Sequence, residues 1–453
     1  MPFKTHSPRT CSVGLLALGC PRNLVDSEVA LGGLVAAGYR YEPDVRRADV
    51  AIINTCGFIR DAKEESIQGI LELAELKKRG QIKKLVIIGC LAQRYKDELF
   101  REFSEADAVL GVSEFAHLAD VIPRLLKTGS QRVLRAPARS VYLKSALSPT
   151  QPLTPPYLRY VKIAEGCLSR CSYCAIPAIK GRLQSRAPED ILKEIRQAVS
   201  CAKVKEVVLI AQDTAAYGRD LGRGIDLGGL LTRIARITPE VWIRTLYLHP
   251  GHVTDSVIQA MEQHRNLCRY VDLPVEHSHP SVLERMGRRG LSQTQDNLIH
   301  EFRRRIPDLA IRSTVMTGFP GESREEFAHL CAFVRRIRFD RLGVFAYSRE
   351  EGTRSAKMTQ QIPSRTARSR RRLIMKAQEQ ISMEAGRRKI GSRLKVLIEG
   401  RATPGVYLGR SEHDAPEVDG EVIVRSRKSL PIGEFCRVRI TGATEHDLEG
   451  VVG

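Results

Sequence analysis

The sequence lacks a long apolar run, and no stretch approaches the roughly 20 apolar residues that a membrane-spanning helix needs. Its first residues, MPFKTHSPRTCSVG, hold no apolar core of signal-peptide length, so we expect a cytoplasmic protein without a membrane partner. In that reducing compartment, 11 cysteines favour metal or redox chemistry over disulfides. A chain of 453 residues is too long for one ordinary core, which predicts two or three domains.

Acidic residues are scarce relative to basic ones, and the formal net charge is +20. Such an excess favours a polyanionic neighbour, and RNA fits better than a membrane surface. Many solvated proteins are also basic, so the charge alone does not identify a function.

Three cysteines share one short run, EGCLSRCSYCAIP, at the spacing C-x3-C-x2-C: Cys167, Cys171 and Cys174. No second cysteine pair lies nearby, which disfavours a structural zinc site with four closed ligands. Iron–sulfur cubanes are usually held by four cysteine thiolates, so three from one loop would leave an iron open to a substrate or cofactor. The alternative is that these are ordinary core cysteines.

Three apolar runs near the N-terminus each end in a cysteine: VGLLALGC (13–20), DVAIINTCG (49–57) and KLVIIGC (84–90). Runs that are apolar on both faces, with helical patterns between them, predict a doubly wound parallel α/β domain. The carboxyl ends of parallel strands share one crevice, so Cys20, Cys56 and Cys90 should converge as a second cluster site with three ligands. Burial as small core residues is the alternative. Cys11, at the other end of the first strand, should be structural.

A proline-rich run, SPTQPLTPP (148–156), predicts a linker. Six further strand–helix units follow it and predict a TIM-like partial (β/α) barrel, with its active site at the carboxyl ends of the strands. The cysteine loop follows the first of these strands, and polar residues follow the others. The predicted strands are 159–166, 205–213, 241–250, 269–277, 311–321 and 341–348, and the polar residues are Gln212, Asp213, His249, Glu276, His277, Thr317 and Ser348.

The C-terminal part changes character twice. Residues 365–395 hold eleven Lys or Arg against two Glu, which predicts either a contact with ribosomal RNA or a solvated helix face. From about residue 391, short alternating strands with glycine-rich turns predict a small antiparallel β-barrel of oligonucleotide-fold size. Residues 391–453 carry nine positive and ten negative charges, and EHDAPEVDGE (412–421) alone holds five acids. This balance favours a basic protein partner over RNA.

Cys167, Cys171, Cys174 and Tyr173 resemble the signature of radical S-adenosylmethionine (SAM) enzymes. The N-terminal motifs LGCPRNLVDSE, NTCGF and IIGCLAQR, with a C-terminal barrel of the TRAM type, resemble the methylthiotransferases among them. The motifs AQDTAAYGRDLG, MGRRG, RSTVMTGFPGE, DRLGVFAYSREEGT and GRSEHDAPEVDG are similar to the branch that modifies a ribosomal protein. The resemblance implies an N-terminal methylthiotransferase domain over 9–145, a radical SAM core over 153–385 and a TRAM domain over 388–453. One departure is Glu276, where the family more often has Gln.

This resemblance implies two 4Fe–4S clusters and SAM as cofactors. The cluster on Cys167, Cys171 and Cys174 would bind SAM and release a 5′-deoxyadenosyl radical, and the cluster on Cys20, Cys56 and Cys90 would hold the sulfur to be inserted. The implied reaction replaces a β-carbon hydrogen of an aspartate on small-subunit ribosomal protein twelve with a methylthio group. An electron donor is implied, and nothing in the sequence demands more than a monomer.

Further cofactor contacts follow from the same resemblance. Tyr173 would lie against the adenine, and Gly318, Gly321 and Glu322 of the GFPGE turn would approach the adenosine. Gln212 and Asp213 would contact the methionyl or ribose part, and Arg186 would pair with the cofactor carboxylate. For each of them, a packing, turn-forming or solvent-facing role is the alternative.

Two rival functions remain open at this point. A tRNA adenosine methylthiotransferase would use the same clusters, but the acidic run and the nearly neutral barrel disfavour phosphate binding. A non-catalytic iron–sulfur protein that docks on ribosomes is the other, but such clusters are usually fully ligated.

Overall fold

The computed structural model describes residues 11–127, 129, 131–137, 143–201 and 203–452. The start of the first predicted domain at residue 9 and the last residue of the TRAM domain lie outside this range, and the three domain boundaries stay predictions. The described residues form two compact units. The first comprises those of Met1–Pro155, Lys162–Ser169 and Cys174–Glu194, and the second those of Pro156–Val161, Arg170–Tyr173 and Ile195–Gly453.

The first unit contains a six-stranded sheet with the strand order β2-β1-β3-β4-β5-β6 and parallel pairing throughout. Its strands are β1 (Ser12–Ala17), β2 (Arg40–Tyr41), β3 (Val50–Thr55), β4 (Lys84–Gly89), β5 (Ala108–Leu110) and β6 (Val133–Arg135). The surrounding helices are α1 (Pro21–Ala36), α2 (Arg60–Lys78), α3 (Cys90–Arg94), α4 (Lys96–Glu102) and α5 (Leu118–Leu125). Alternate residues of β3 enter two separate cores, one packed by α1 and α5 and the other by α2 and α4. The predicted doubly wound fold is therefore confirmed.

The predicted linker is hydrogen-bonded to α1 of the first unit. The Gln151 amide donates to the Glu28 carbonyl at 2.9 Å, and the Leu153 amide donates to the Glu28 carboxylate at 2.9 Å. Gly32 of α1 lies against Pro149 so closely that a Cβ there would come within 2.4 Å of its backbone. The proline-rich segment is thus fastened along α1.

Six strands in chain order form the centre of the second unit, apart from Lys162 at the end of the first of them: β7 (Leu158–Lys162), β10 (Glu206–Ile210), β11 (Trp242–Thr245), β12 (Tyr270–Glu276), β13 (Ala310–Thr317) and β14 (Arg341–Ala346). A short antiparallel pair, β8 (Ala164–Glu165) with β9 (Gln184–Ser185), belongs to the first unit. The sheets β11-β10-β7 and β12-β13-β14 are joined by a parallel bridge between Ile243 and Leu267. This arrangement confirms the predicted partial barrel.

Helices accompany these strands, as the sequence pattern predicts. They are α6 (Ile176–Lys180), α7 (Pro188–Cys201), α8 (Leu227–Ile237), α9 (Asp255–Gln263), α10 (Pro280–Arg285), α11 (Leu291–Arg305), α12 (Arg324–Ile337) and α13 (Ser364–Arg388). None of the helices in the described part of the chain is both long and apolar enough to cross a membrane.

The C-terminal strands form a closed barrel in the order β15-β16-β17-β19-β18. They are β15 (Arg393–Thr403), β16 (Val406–Ser411), β17 (Val422–Arg425), β18 (Phe435–Ala443) and β19 (Leu448–Val452). The prediction of a small β-barrel is confirmed, with one difference in detail: β17 and β19 pair in parallel, whereas the other neighbouring strands are antiparallel. That single parallel pair closes the barrel.

Two acids of the run 412–421, Asp414 and Asp419, turn inward, so their charges are not available to a basic protein partner. Asp414 is 1% exposed and accepts a hydrogen bond from Arg341 at 2.7 Å. Asp419 lies 3.4 Å from Arg312 and accepts a hydrogen bond from the Tyr270 hydroxyl at 2.7 Å. These two acids neutralise arginines of β13 and β14 and fasten the barrel to the partial barrel, whereas Glu417 and Glu421 of the same run stay exposed.

Candidate cluster-binding site

The structure brings Cys20, Cys56 and Cys90 together at one edge of the first sheet. Cys20 directly precedes α1, Cys56 directly follows β3, and Cys90 is the first residue of α3, immediately after β4. A Cβ placed on Gly19 would lie 3.3 Å from the Cys56 sulfur, and the charges of Cys20 and Cys56 both act on Cys90. The three cysteines thus converge at the carboxyl ends of the parallel strands, as the sequence predicts.

Glycine is required beside this group of cysteines. Gly89, just before Cys90, has φ +102, and a Cβ there would lie 2.2 Å from the Asn54 side-chain oxygen. Any other residue would be strained and would push β4 away from β3. The backbone conformation that places Cys90 at this site therefore requires glycine at position 89.

Hydrogen bonds hold the sulfurs of this group. The Arg22 guanidinium donates to the Cys20 sulfur at 3.4 Å, and the Cys90 sulfur donates to the Asn23 side-chain oxygen at 3.7 Å. Burial alone would raise the pKa of Cys20, but the charge and hydrogen bond of Arg22 lower it. Burial raises the pKa of Cys90 to about 12, against the opposing charge of Lys180. Because thiolates are the ligands, metal binding here must release protons.

This donor set fits an iron–sulfur cluster. Three buried or half-buried soft sulfurs converge without a disulfide among them, and Cys11 lies at the opposite end of β1 beside Asp49. Three thiolates leave one coordination position of a cubane for a non-protein ligand. Cys20, Cys56 and Cys90 are hereafter called the second triad.

Cys167, Cys171 and Cys174, hereafter the first triad, lie between β8 and α6, and all three are partly exposed. In the first unit, the Cys167 amide donates to the Gly181 carbonyl at 3.2 Å. In the second unit, the Ser172 amide donates to the Met286 carbonyl at 2.8 Å, and its hydroxyl donates to the Arg285 carbonyl at 2.8 Å. Backbone anchors thus fix this loop on both sides of Cys171.

Tyr173 packs edge-to-face on Phe319 with ring centroids 6.4 Å apart, within a small apolar cluster that includes Met286. Its hydroxyl lowers the pKa of the Glu276 carboxyl, against the effect of burial. The Glu276 backbone has φ +65, a conformation that a residue with a side chain rarely adopts. Strain of this kind is concentrated at functional sites, which directs attention to this strand end.

Arg288 links Glu276 to the first triad. Its guanidinium donates to the Pro274 carbonyl at 2.7 Å, lies 3.8 Å from the Glu276 carboxylate and hydrogen-bonds to Cys171. Burial raises the pKa of Glu276, and the charge of Arg288 opposes that rise. Sequence reasoning did not select Arg288, although it lies in the MGRRG motif that was recognised.

Asp213 follows β10 beside Gln212, and it holds two histidines. The His252 ring nitrogen lies 2.5 Å from the Asp213 carboxylate, and the His249 and His252 rings stack at 4.5 Å. Burial, reinforced by the charge of Arg288, lowers the pKa of His249 to about 2, so this imidazole stays neutral. The three side chains are close enough to share a metal ion, but the positive charge of Arg288 disfavours a cation. His252 was missed because it lies beyond the predicted strand end.

The GFPGE turn is shaped by its glycines and by Glu322. Gly318 has φ +74, and a Cβ there would lie 2.3 Å from the Ala367 side chain of α13. Gly321 also has a positive φ, at +75. The buried Glu322 carboxylate accepts hydrogen bonds from the Gly318 amide and from Arg370. This set of bonds holds the turn against α13, and a contact of the turn with adenosine stays a prediction.

Arg186 is 1% exposed and already engaged within the first unit. Its guanidinium bonds to Asp190 at 2.6 Å, to Glu194 at 2.6 Å and to the Lys162 carbonyl at 2.8 Å. These partners favour a role in fixing the segment after the first triad over the predicted pairing with a cofactor carboxylate. Sequence spacing placed Arg186 near the loop but gave no sign of its acidic partners.

Comparison with known proteins identifies the parts of the chain. Residues 12–111 match Uncharacterized protein family UPF0004, residues 161–334 match the Radical SAM superfamily, and residues 390–452 match the TRAM domain. Among solved structures, the radical SAM methyltransferase TsrM from Kitasatospora setae has a TM-score of 0.55 at 16% identity, covering 90% of this chain and 82% of that one. At that identity the likeness concerns the fold alone.

Several curated relatives match almost from end to end. The ribosomal protein uS12 methylthiotransferase RimO of Pelotomaculum thermopropionicum is 44% identical over 440 residues, covering 97% of this chain and 98% of the relative. The RimO of Desulforamulus reducens is 45% identical, covering 97% and 99%. The RimO of Desulforudis audaxviator is 41% identical, covering 100% and 98%. The two cysteine triads and the three matched segments agree with this likeness, and the chain belongs to the RimO family of radical SAM methylthiotransferases.

Proposed function

We propose that this chain methylthiolates the β-carbon of an aspartate on ribosomal protein uS12, using two 4Fe–4S clusters and SAM. The observation that carries the proposal is the pair of cysteine triads, each one ligand short of a closed cubane. The names of the relatives, which match over nearly the whole chain, supply the substrate.

The β-hydrogen of an aspartate is not acidic enough for a side chain to remove at neutral pH, so acid–base catalysis does not account for this reaction. When bound, the clusters and SAM supply the radical that removes this hydrogen and the sulfur that replaces it. The second triad offers three thiolates on a rigid strand edge, and the first triad offers three on a loop anchored at Gly181 and Met286. The apolar side chains of Tyr173 and Phe319 exclude water beside the first triad.

Residues beyond the ligands are proposed to hold SAM. Tyr173 supports the adenine, and Gly318, Gly321 and Glu322 shape the turn that approaches the adenosine. Gln212 and Asp213 contact the methionyl or ribose portion, and the neutral His249 beside them adds a hydrogen-bonding group without adding charge.

The nearest rival remains a tRNA methylthiotransferase, because two of the five acids that argued against RNA are paired with arginines inside the protein. The proposal for uS12 therefore depends on the relatives and not on the charge of the barrel. A direct comparison of the two substrates separates the possibilities.

The reconstituted protein, incubated anaerobically with SAM, a reductant and sulfide, is expected to add a methylthio group to a uS12 target-loop peptide and to form 5′-deoxyadenosine. Unmodified tRNA offered in parallel should gain no mass, and neither should a control peptide in which the target aspartate is alanine. Mass spectrometry of all three substrates gives the result. A gain on tRNA alone would overturn the proposal, and no gain without 5′-deoxyadenosine would favour a non-catalytic protein.

We further propose that α13 contacts ribosomal RNA during the reaction. Its exposed face carries Arg365, Arg368, Arg371, Arg372 and Lys376, whereas Arg370 turns inward to Glu322. Clustered exposed cations neutralise phosphates and release counterions, so affinity falls steeply with salt. We also propose that the protein works as a cytoplasmic monomer and receives electrons from a separate donor.

Replacing Arg368 and Arg372 by glutamine is expected to weaken binding to a ribosomal RNA fragment and to reduce the slope of log affinity against log salt by about 2. Fluorescence anisotropy over a salt series measures that slope. The matched control is Arg46→Gln with Arg47→Gln, which removes two exposed arginines from the first unit. An unchanged slope in the α13 variant would rule out the contact.

A further inference from the structure

Four charged side chains are buried together in the first unit: Asp26, Lys162, Glu165 and Lys180, hereafter the Lys180 cluster. Their side chains are between 1% and 4% exposed. Lys180 donates to Asp26 at 3.0 Å and lies 3.6 Å from Glu165. Lys162 donates to Glu165 at 2.6 Å and also to Asp26.

Burying four charges contributes little net free energy to the stability of a fold. Removing such groups from water costs several kcal/mol per ion, and well-packed apolar residues of similar size often stabilise a protein as much or more. A fully paired cluster at this depth therefore favours a role for the charges themselves. Its location identifies what those charges act on.

The Lys180 cluster joins the segments that follow the two triads. Lys180 ends α6, which begins two residues after Cys174, and Asp26 lies on α1, which begins directly after Cys20. Ala175 and Ile179, on the α6 side, pack against Cys90. The residues that leave the first triad thus form one wall of the second triad.

The charges of the Lys180 cluster act on Cys90 of the second triad, against which α6 packs. The charged groups that act most on Cys90 are Lys180, the two other cysteines of the second triad and Asp26, in that order. Lys162 belongs to the same cluster but is not among them. Lys180 is therefore the positive charge that α6 brings to the second triad, and Asp26 is the negative charge that holds Lys180 there.

We propose that Lys180 is a positioning residue for the second cluster: its ammonium, held by Asp26, raises the reduction potential of the cluster bound by Cys20, Cys56 and Cys90. The inference rests on the proposed function, since it needs a cluster at that site. Reduction adds negative charge to a cluster, so a buried cation nearby favours the reduced form and a buried anion opposes it. Because α6 directly follows the loop that carries the first triad, a shift of that loop that moves Lys180 would alter the reduction potential of the second cluster.

The test uses the full-length chain carrying Cys167→Ala, Cys171→Ala and Cys174→Ala, so that only the second cluster is present. Midpoint potentials are measured by redox titration monitored by electron paramagnetic resonance. Lys180→Met is expected to make the potential more negative and Lys180→Arg to retain it. Asp26→Asn, whose amide oxygen still accepts a hydrogen bond from Lys180, is expected to make it more positive. Lys162→Met is the matched control, because it removes a buried lysine that also binds Asp26, and it should give a smaller shift than Lys180→Met.

The opposite signs separate an electrostatic role from structural damage. General loosening of the site would move Lys180→Met and Asp26→Asn in the same direction, and that result would overturn the inference, as would no shift in either. If Lys180→Met does not fold, the sign of the Asp26→Asn shift decides. Failure of any cluster to assemble before Lys180 or Asp26 is changed would instead contradict the second site and with it the proposed function.

Discussion

A Cys56→Ala variant is expected to keep forming 5′-deoxyadenosine at close to the parent rate while losing methylthio insertion by at least about 100-fold. Cys56 belongs to the second triad, and the first triad, which is proposed to bind SAM, keeps all three cysteines. The iron content should fall by about half, since one of two cubanes loses a ligand. Mass spectrometry of the uS12 peptide, chromatography of 5′-deoxyadenosine and iron analysis together measure the split.

Cys11→Ala is the matched control for this experiment. Cys11 is 8% exposed and Cys56 is 9% exposed, and both lie in the first unit, but Cys11 precedes β1 at the opposite edge of the sheet. The control should keep its iron, its 5′-deoxyadenosine formation and its methylthio insertion. Normal insertion by Cys56→Ala would contradict the second site, and equal losses in both variants would point to damage of the fold.

A Glu206→Gln variant is expected to lower the free energy of unfolding by about 3–5 kcal/mol, because it leaves the buried Arg244 without its carboxylate partner and Arg410 with Glu399 alone. Glu206 is 0% exposed and binds Arg244 at 2.6 Å and Arg410 of the C-terminal barrel at 2.6 Å. The only tryptophan of the chain, Trp242, packs on Phe435 of the barrel with ring centroids 4.5 Å apart. Its fluorescence during urea unfolding reports on this junction.

The matched control is Lys205→Gln, one residue away. Lys205 pairs with Glu434 at 2.8 Å, but the two side chains are 27% and 42% exposed, so the loss of this pair should cost less than about 1 kcal/mol. Comparable losses in the two variants would contradict the importance of the buried carboxylate.

The same carboxylate gives this junction a pH dependence. Burial raises the pKa of Glu206, but Arg410 and Arg244 outweigh it and hold the pKa below the usual 4.5. A depressed carboxyl pKa stabilises the fold fully above the unfolded value and loses that contribution as the pH falls through the folded value. The difference in stability between the parent and Glu206→Gln should therefore shrink below about pH 4.5.

The second triad was predictable because strand ends are visible in a sequence. Cys56 and Cys90 directly follow apolar runs. Because the carboxyl ends of parallel strands lie on the same side of a sheet, the two cysteines are predicted to lie close together. Cys20 lies three residues beyond the end of β1, yet it still converges because it directly precedes α1. The fold class of each part follows from the same periodic patterns.

Pairing between charges that are distant in the sequence was not predictable. The acidic run looked like a binding surface because counting charges does not show that Arg341 and Arg312 meet Asp414 and Asp419. Lys180 and Asp26 are 154 residues apart, and neither belongs to a periodic pattern. Burial, which decides what a charge does, depends on the assembled structure.

The arginine–aspartate pairs between the barrel and the core strands limit which TRAM barrels from related proteins could replace this one. A TRAM barrel transplanted from another protein would have to bring carboxylates to the positions of Asp414 and Asp419, or it would leave Arg341 without this counter-ion and Arg312 with Asp272 alone. A matching barrel sequence is not enough, because half of each pair is encoded in the catalytic core. Recombination within the family should therefore preserve the barrel and the last two core strands as one inherited block.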